Sequence, residues 1–128
     1  MPTPPLRLLI VEDHPAARTA LISLLKREPD LLIVGHATDG KEALQQLVPT
    51  EPEVVLLDTR MPGLDGVATA QIIHSEFPEI SMVGMSVGPD DPEATAMCKA
   101  GAVAFVAKGD IPGLLAAIRQ GRERRAAA

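Results

Sequence analysis

At 128 residues and 46% apolar, the chain fits one domain with a sizeable buried core, which an aromatic content of only 2% makes aliphatic. With no Trp or Tyr and a net charge of −5, it lacks both the stacking surface and the basic face that direct nucleic-acid binding requires. Cys98 is the single cysteine, which excludes an internal disulfide and a cysteine-based zinc site and fits a reducing cytoplasm. No apolar run approaches the ~20 residues of a membrane span, and no secretory signal precedes Leu6.

Residues 1–5, with three prolines, read as a disordered leader. Leu6–Val11 is the first predicted strand and ends at Glu12-Asp13. Pro15 then opens a helix where its missing N–H costs nothing, with Ala17, Ala20, Leu21, Leu24 and Leu25 as the apolar stripe and Glu28-Pro29-Asp30 as the stop. Leu31–Ala37 is the second strand. Thr38 or Asp39 caps the next helix, whose stripe of Ala43, Leu44, Leu47 and Val48 is expected to stop at Pro49 and Pro52. Val54–Leu57 is a third strand, four aliphatic residues in a row, as suits a parallel strand buried on both faces. Gly66 leads into a helix presenting Val67, Ala70, Ile73 and Phe77. Ile80–Met85 is the fourth strand, ending at Ser86. Pro92–Ala100 forms a short helix closed by Gly101, with Met97 its main apolar anchor. Val103–Ala107 is the fifth strand, ending at Lys108. Asp110 caps the last helix, which carries Leu114, Leu115 and Ile118 and is expected to run out near Arg122, leaving 123–128 as a tail or linker.

Five strands alternating with five helices define a doubly wound α/β sandwich, the flavodoxin-like (βα)5 fold with parallel strand order 2-1-3-4-5. In that order the first and third strands are neighbours, so Glu12 and Asp13 land beside Asp58. Ser86 and Lys108 end the fourth and fifth strands on the same edge. Taken alone, Asp58 reads equally well as a turn residue closing its strand, Ser86 as a turn former and Lys108 as a solvated lysine. Together, each at a strand's carboxyl end, they mark the edge where open α/β sheets bind ligands.

Three carboxylates in one place repel unless a cation sits among them or one holds a proton. An oxygen-only ligand set with access to water suits Mg²⁺. Such a metal serves phosphoryl transfer, with Asp58 as the nucleophile that forms an acyl phosphate, Lys108 reaching a phosphoryl oxygen and Ser86 donating a hydroxyl hydrogen bond to another.

The wording of these stretches resembles the receiver domain of two-component response regulators over residues 6–122. The residues carrying it are Glu12-Asp13, Asp58-Thr-Arg-Met-Pro-Gly-Leu-Asp-Gly66, Ser86 and Phe105-Val-Ala-Lys108. Val11-Glu-Asp-His-Pro15, Gly40-Lys-Glu-Ala-Leu44 and Met85-Ser-Val87 are most similar to the NarL/FixJ-type subfamily. The resemblance implies that Asp13 binds Mg²⁺ most directly, that Glu12 acts through water or as a second ligand, and that the Arg60 backbone carbonyl completes the site. It further implies a sensor histidine kinase as phosphodonor to Asp58. Ser86 and Phe105 would be the switch residues. The fourth helix, fifth strand and fifth helix would form the responsive face, read out by self-association or by docking of an output domain. A helix-turn-helix domain controlling transcription would be that output. The chain would be a phosphoacceptor promoting its own phosphorylation and dephosphorylation, not a turnover enzyme.

Four positions depart from the commoner pattern: Glu12 stands for Asp, Gly109 follows Lys108 in place of Pro, Phe105 lacks a hydroxyl, and Val87 is bulkier than Ala. These departures keep one alternative open, a degenerate receiver acting as a phosphorylation-independent interaction module. An aspartyl-phosphate phosphatase would need a second Asp where Arg60 stands, and a flavin binder would need a Ser/Thr/Gly-rich loop in place of Glu12-Asp13-His14-Pro15. His14 reads as solvent-facing, His36 and His74 lack ligand spacing, and Asp65 reads as a cap or loop residue. The arginines at 119, 122, 124 and 125 read as solvated or ion-paired.

Overall fold

The computed structural model describes residues 3–61, 63–86 and 90–127. Its elements are β1 (Leu6–Val11), α1 (Pro15–Leu25), β2 (Leu31–Ala37), α2 (Gly40–Thr50), β3 (Val54–Asp58), α3 (Gly66–Glu76), β4 (Ser81–Ser86), α4 (Glu93–Lys99), β5 (Ala104–Ala107) and α5 (Ile111–Ala127). All four strand pairings are parallel, in the order β2-β1-β3-β4-β5. This is the architecture that the alternation of strand and helix signals predicts.

Period-two alternation along the buried strands divides the interior into two cores, one on each face of the sheet. Leu9, Val11, Val55, Leu57 and Met82 point to a layer closed by Leu47 of α2, Ile73 of α3 and Met97 of α4. Leu8, Ile10, Leu56, Val83 and Met85 point to the opposite layer, closed by Leu21 and Leu25 of α1 and by Leu114 and Ile118 of α5. β3 is buried along its whole length, as a central parallel strand must be.

Four local expectations are corrected. In α1 only Leu21 and Leu25 of the predicted stripe are buried; Ala20 is exposed and Leu24 is 39% exposed, because the helix meets the sheet along a narrower line than the stripe allows. α2 does not stop at Pro49 but carries it in its last turn, where losing one N–H is tolerable. What ends α2 is Glu51, with left-handed backbone at φ 48°, whose N–H still bonds to the Leu47 carbonyl at 3.0 Å. Val48, expected on the buried stripe, is 72% exposed. α5 does not run out at Arg122 but continues to Ala127, a stretch of good helix formers beyond the sheet.

Residues Thr3 to Pro5 are exposed and outside regular structure, while Met1 and Pro2 lie outside the described residues. Among the described residues no helix is long and apolar enough to cross a membrane.

Candidate functional site

The carboxyl edge of the sheet gathers the charged residues that the topology predicts. Asp58, the last residue of β3, is 2% exposed, and Glu12, one residue beyond β1, is fully buried. Asp13 is half-buried beside them. One oxygen from each of the three carboxylates lies within 4.8 Å of the others. Lys108, one residue beyond β5, brings its ammonium Nζ to 2.7 Å from Glu12 Oε1 and donates to Asp58 Oδ2 at 3.2 Å. The Glu12 contact is ionic without hydrogen-bond alignment, so Oε1 stays a buried acceptor with no hydrogen bond. Glu12 Oε2 accepts from the His14 N–H at 3.1 Å, and Asp58 Oδ1 accepts from the Arg60 N–H at 3.3 Å.

Burial, and then the neighbouring Glu12, push the Asp58 carboxyl up to about 7, against the opposing pull of the Arg60 N–H and Lys108. Burial acts on Glu12 in the same sense, but the Lys108 ammonium, a protonated Asp58 and the His14 N–H together outweigh it and hold Glu12 below its ordinary value. Burial would depress Lys108, yet the two carboxylates keep its pKa raised. The cluster is thus arranged to be neutralised: one carboxyl shares a proton near neutral pH, or a further cation takes its place.

The donor set fits Mg²⁺. It is composed only of oxygens, it is partly open through Asp13, and it includes a buried carboxylate oxygen with no hydrogen bond. Asp13, Glu12 and Asp58 would hold the ion. Of Arg60, the contact found at the site is its amide N–H on Asp58, while its 60%-exposed side chain reaches across to Asp91 at 3.8 Å.

Ser86 ends β4 in a buried position (3% exposed), and Phe105 lies half-buried in β5, paired in register with Gly84. His14 is exposed and caps α1, its Nδ1 accepting from the Ala17 N–H at 3.4 Å. Asp65 is the cap of α3, accepting from the Ala68 N–H at 2.8 Å. Pro62 and Val87 lie outside the described residues, so the access question raised by Val87 lies there too. No cis peptide bond occurs among the described residues.

Three residues at this edge escape sequence reasoning. Arg18, on the second turn of α1, donates to the carbonyls of Glu12 (2.9 Å) and Asp13 (3.5 Å), bracing the loop that carries both. Asp91, with a fully buried side chain, accepts from the Glu93 N–H at 2.9 Å, and its Oδ2 has no hydrogen-bond partner among the described residues. Gly66 lets α3 start directly against the strand end, since a Cβ there would collide with the Asp58 carbonyl and Thr59 Cα. Only Gly66 had a signal, as the glycine opening a helix; Arg18 and Asp91 look like any surface charge until the loop geometry is known.

The family model described as "Response regulator receiver domain" matches residues 8–119. Among curated relatives, the "Response regulator GacA" of Pseudomonas viridiflava is 35% identical over 104 residues, 81% of this chain and 49% of the relative. The "Transcriptional regulatory protein LiaR" of Bacillus subtilis is 30% identical over 103 residues, 80% of this chain and 49% of the relative. Among solved structures, the response regulator domain of Thermotoga maritima CheB superposes with a TM-score of 0.83 at 28% identity, covering 91% of this chain and 96% of that one. The chain belongs to the response regulator receiver domain family. It spans about half the length of the curated relatives it matches.

Proposed function

We propose that the chain accepts a phosphoryl group on Asp58 from the phosphohistidine of a sensor histidine kinase and relays that event to an output. The observation that carries this reading is Lys108 Nζ lying between Glu12 and Asp58, at 2.7 and 3.2 Å, within a cluster of three carboxylates. In the transfer, a carboxylate oxygen of Asp58 forms a P–O bond as the P–N bond of the donor breaks. The electron pair returns to the imidazole nitrogen. Lys108 meets the charge on the phosphoryl oxygens as a compact, mobile ammonium, and the Arg60 N–H fixes the rotamer of the nucleophile. Mg²⁺ bound by Asp13, Glu12 and Asp58 would neutralise and align the transferring group. Ser86, at the neighbouring strand end, would supply a hydroxyl donor.

The side from which the donor arrives is marked by an apolar cavity of about 280 Å³ lined by Ala17, Ala20, Leu21, Leu24, Gly109 and Ile111, with Lys108 common to cavity and site. Ala20 and Leu24, which fail to face the core, are among the α1 residues lining it. We assign this face to the kinase surface that carries the phosphohistidine, because a docked partner there places its donor next to Lys108. The face formed by α4, β5 and α5 is assigned to the output, through self-association or docking of a further domain. The relative named as a transcriptional regulatory protein makes transcription the favoured output. A cytoplasmic location accords with the free Cys98.

Acetyl phosphate with and without Mg²⁺, followed by intact mass, tests the reading. One phosphoryl adduct that requires Mg²⁺ and is absent from Asp58→Asn is the expected result. An adduct of equal yield on Asp58→Asn refutes it.

A further inference from the structure

The fourth helix is a short element with one fully buried anchor, Met97, and that anchor stands over an unusual spot in the sheet. β4 presents Gly84 in the row that faces α4, directly paired with Phe105 of β5. A Cβ on Gly84 would stand 2.6 Å from Phe105 Cδ1, 3.1 Å from its Cε1 and 3.1 Å from Met97 Cε. The ring therefore occupies the volume that any other residue at 84 would claim, and the methionine of α4 closes over both. Ser86 lies two pairs further along, opposite Ala107.

We propose that Gly84, not Ser86, determines where the Phe105 ring sits, and through the ring whether α4 is docked. A seat created by a missing side chain is permanent. The ring has no hydroxyl to hold it elsewhere, so packing alone sets its position. Ring and thioether both border the space a side chain at 84 would fill, so β5 and α4 are packed together there. Small changes at residue 84 should move α4 without touching the phosphorylation chemistry. The seat stands on packing; its meaning for the output face rests on the function proposed above.

The composition offers a clean probe, because Phe77 and Phe105 are the only phenylalanines. Protein labelled with fluorophenylalanine shows two ¹⁹F resonances, assigned with Phe77→Leu. Gly84→Ala is expected to shift the Phe105 resonance and make it sensitive to H₂O/D₂O exchange, with loss of amide protection over residues 93–99 and no change at Phe77. Ser86→Ala is expected to leave the Phe105 resonance within its linewidth. If Ser86→Ala displaces the ring as far as Gly84→Ala does, or if Gly84→Ala leaves it in place, the proposal is overturned. Should Gly84→Ala fail to fold, Gly84→Ala/Phe105→Leu decides: recovery of a folded protein with protected α4 supports the clash, and continued unfolding overturns it. Intact mass after acetyl phosphate and Mg²⁺ is read separately, so a parent protein that takes no phosphoryl group fails the functional reading while leaving the seat testable.

Discussion

The Lys108 ammonium stands closer to Glu12 than to Asp58, 2.7 Å against 3.2 Å, so the cation that should serve the acceptor is largely held by its neighbour. Glu12 also adds charge and a hydrogen bond that keep Asp58 protonated to about 7, after burial. Glu12→Gln should free Lys108 towards Asp58 and lower the Asp58 pKa well below 7 in the metal-free protein. Carboxyl ¹³C titration reads this directly. A value still near 7 would leave burial as the whole cause.

The same shift fixes how stability responds to pH. Asp58 goes from an ordinary 3.8 to about 7 on folding, so between those values the folded chain binds more protons than the unfolded one. This group's contribution to stability therefore falls as pH rises from about 4 to about 7, and a bound cation reverses the loss. Mg²⁺ should raise the Tm more at pH 8 than at pH 6, and its binding at pH 6.5 should release a proton, visible as a buffer-dependent heat. A larger gain at pH 6 contradicts the assignment.

Arg18 is expected to act on the metal through the backbone. Its guanidinium holds the Glu12 and Asp13 carbonyls, so Arg18→Ala should lower Mg²⁺ affinity about tenfold, in the range of second-layer contacts to metals. The stability cost should be about 1 kcal/mol, and Arg18→Lys should recover part of the affinity. Titration of Mn²⁺ relaxation separates the two effects. Unchanged affinity with a lowered Tm would make Arg18 a purely structural brace.

Leu24, 39% exposed on the cavity beside Lys108, offers a substitution that spares the core. Leu24→Asp should change stability by no more than about 0.5 kcal/mol and leave acetyl phosphate labelling intact, while slowing transfer from a phosphorylated kinase. Equal slowing with both donors would place the defect at the site and remove the docking assignment.

The last helix is tied to the rest by Arg119, whose Nε and Nη2 donate to Asp30 at 2.8 and 3.0 Å and whose Nη2 donates to Glu28 at 2.8 Å. These carboxylates raise the guanidinium's already high pKa. The cluster is partly exposed, so Arg119→Ala should cost about 0.5–1 kcal/mol at low salt and less at high salt. Urea denaturation at two ionic strengths checks both parts.

The residues at strand ends were legible because a parallel sheet forces all its carboxyl ends onto one edge. Glu12, Asp58 and Lys108 need only the strand order to meet, and aliphatic runs such as Val54–Leu57 declare the strands. What was illegible depends on angles that no periodicity encodes. Leu24 and Val48 carry the correct spacing for a buried stripe, but each helix crosses the sheet so as to leave them outside. Pro49 looks like a stop because its missing N–H is visible in sequence, whereas the spare acceptor it leaves in a last turn is not. The seat at Gly84 is a property of a pair, since neither the glycine nor Phe105 signals it alone.

Asp58 and Lys108 are fifty positions apart, and the hydrogen bond between them forms only where β5 is laid beside β4. On a ribosome the chain emerges from its amino end, so Glu12, Asp13 and Asp58 are all translated before the balancing ammonium exists. Until residue 108 has cleared the exit tunnel and β5 has zipped onto β4, the acidic cluster has no lysine to steady it. A chain in which β5 has not yet docked would therefore be a poor recipient, and acceptance of a phosphoryl group doubles as proof that this strand is in place.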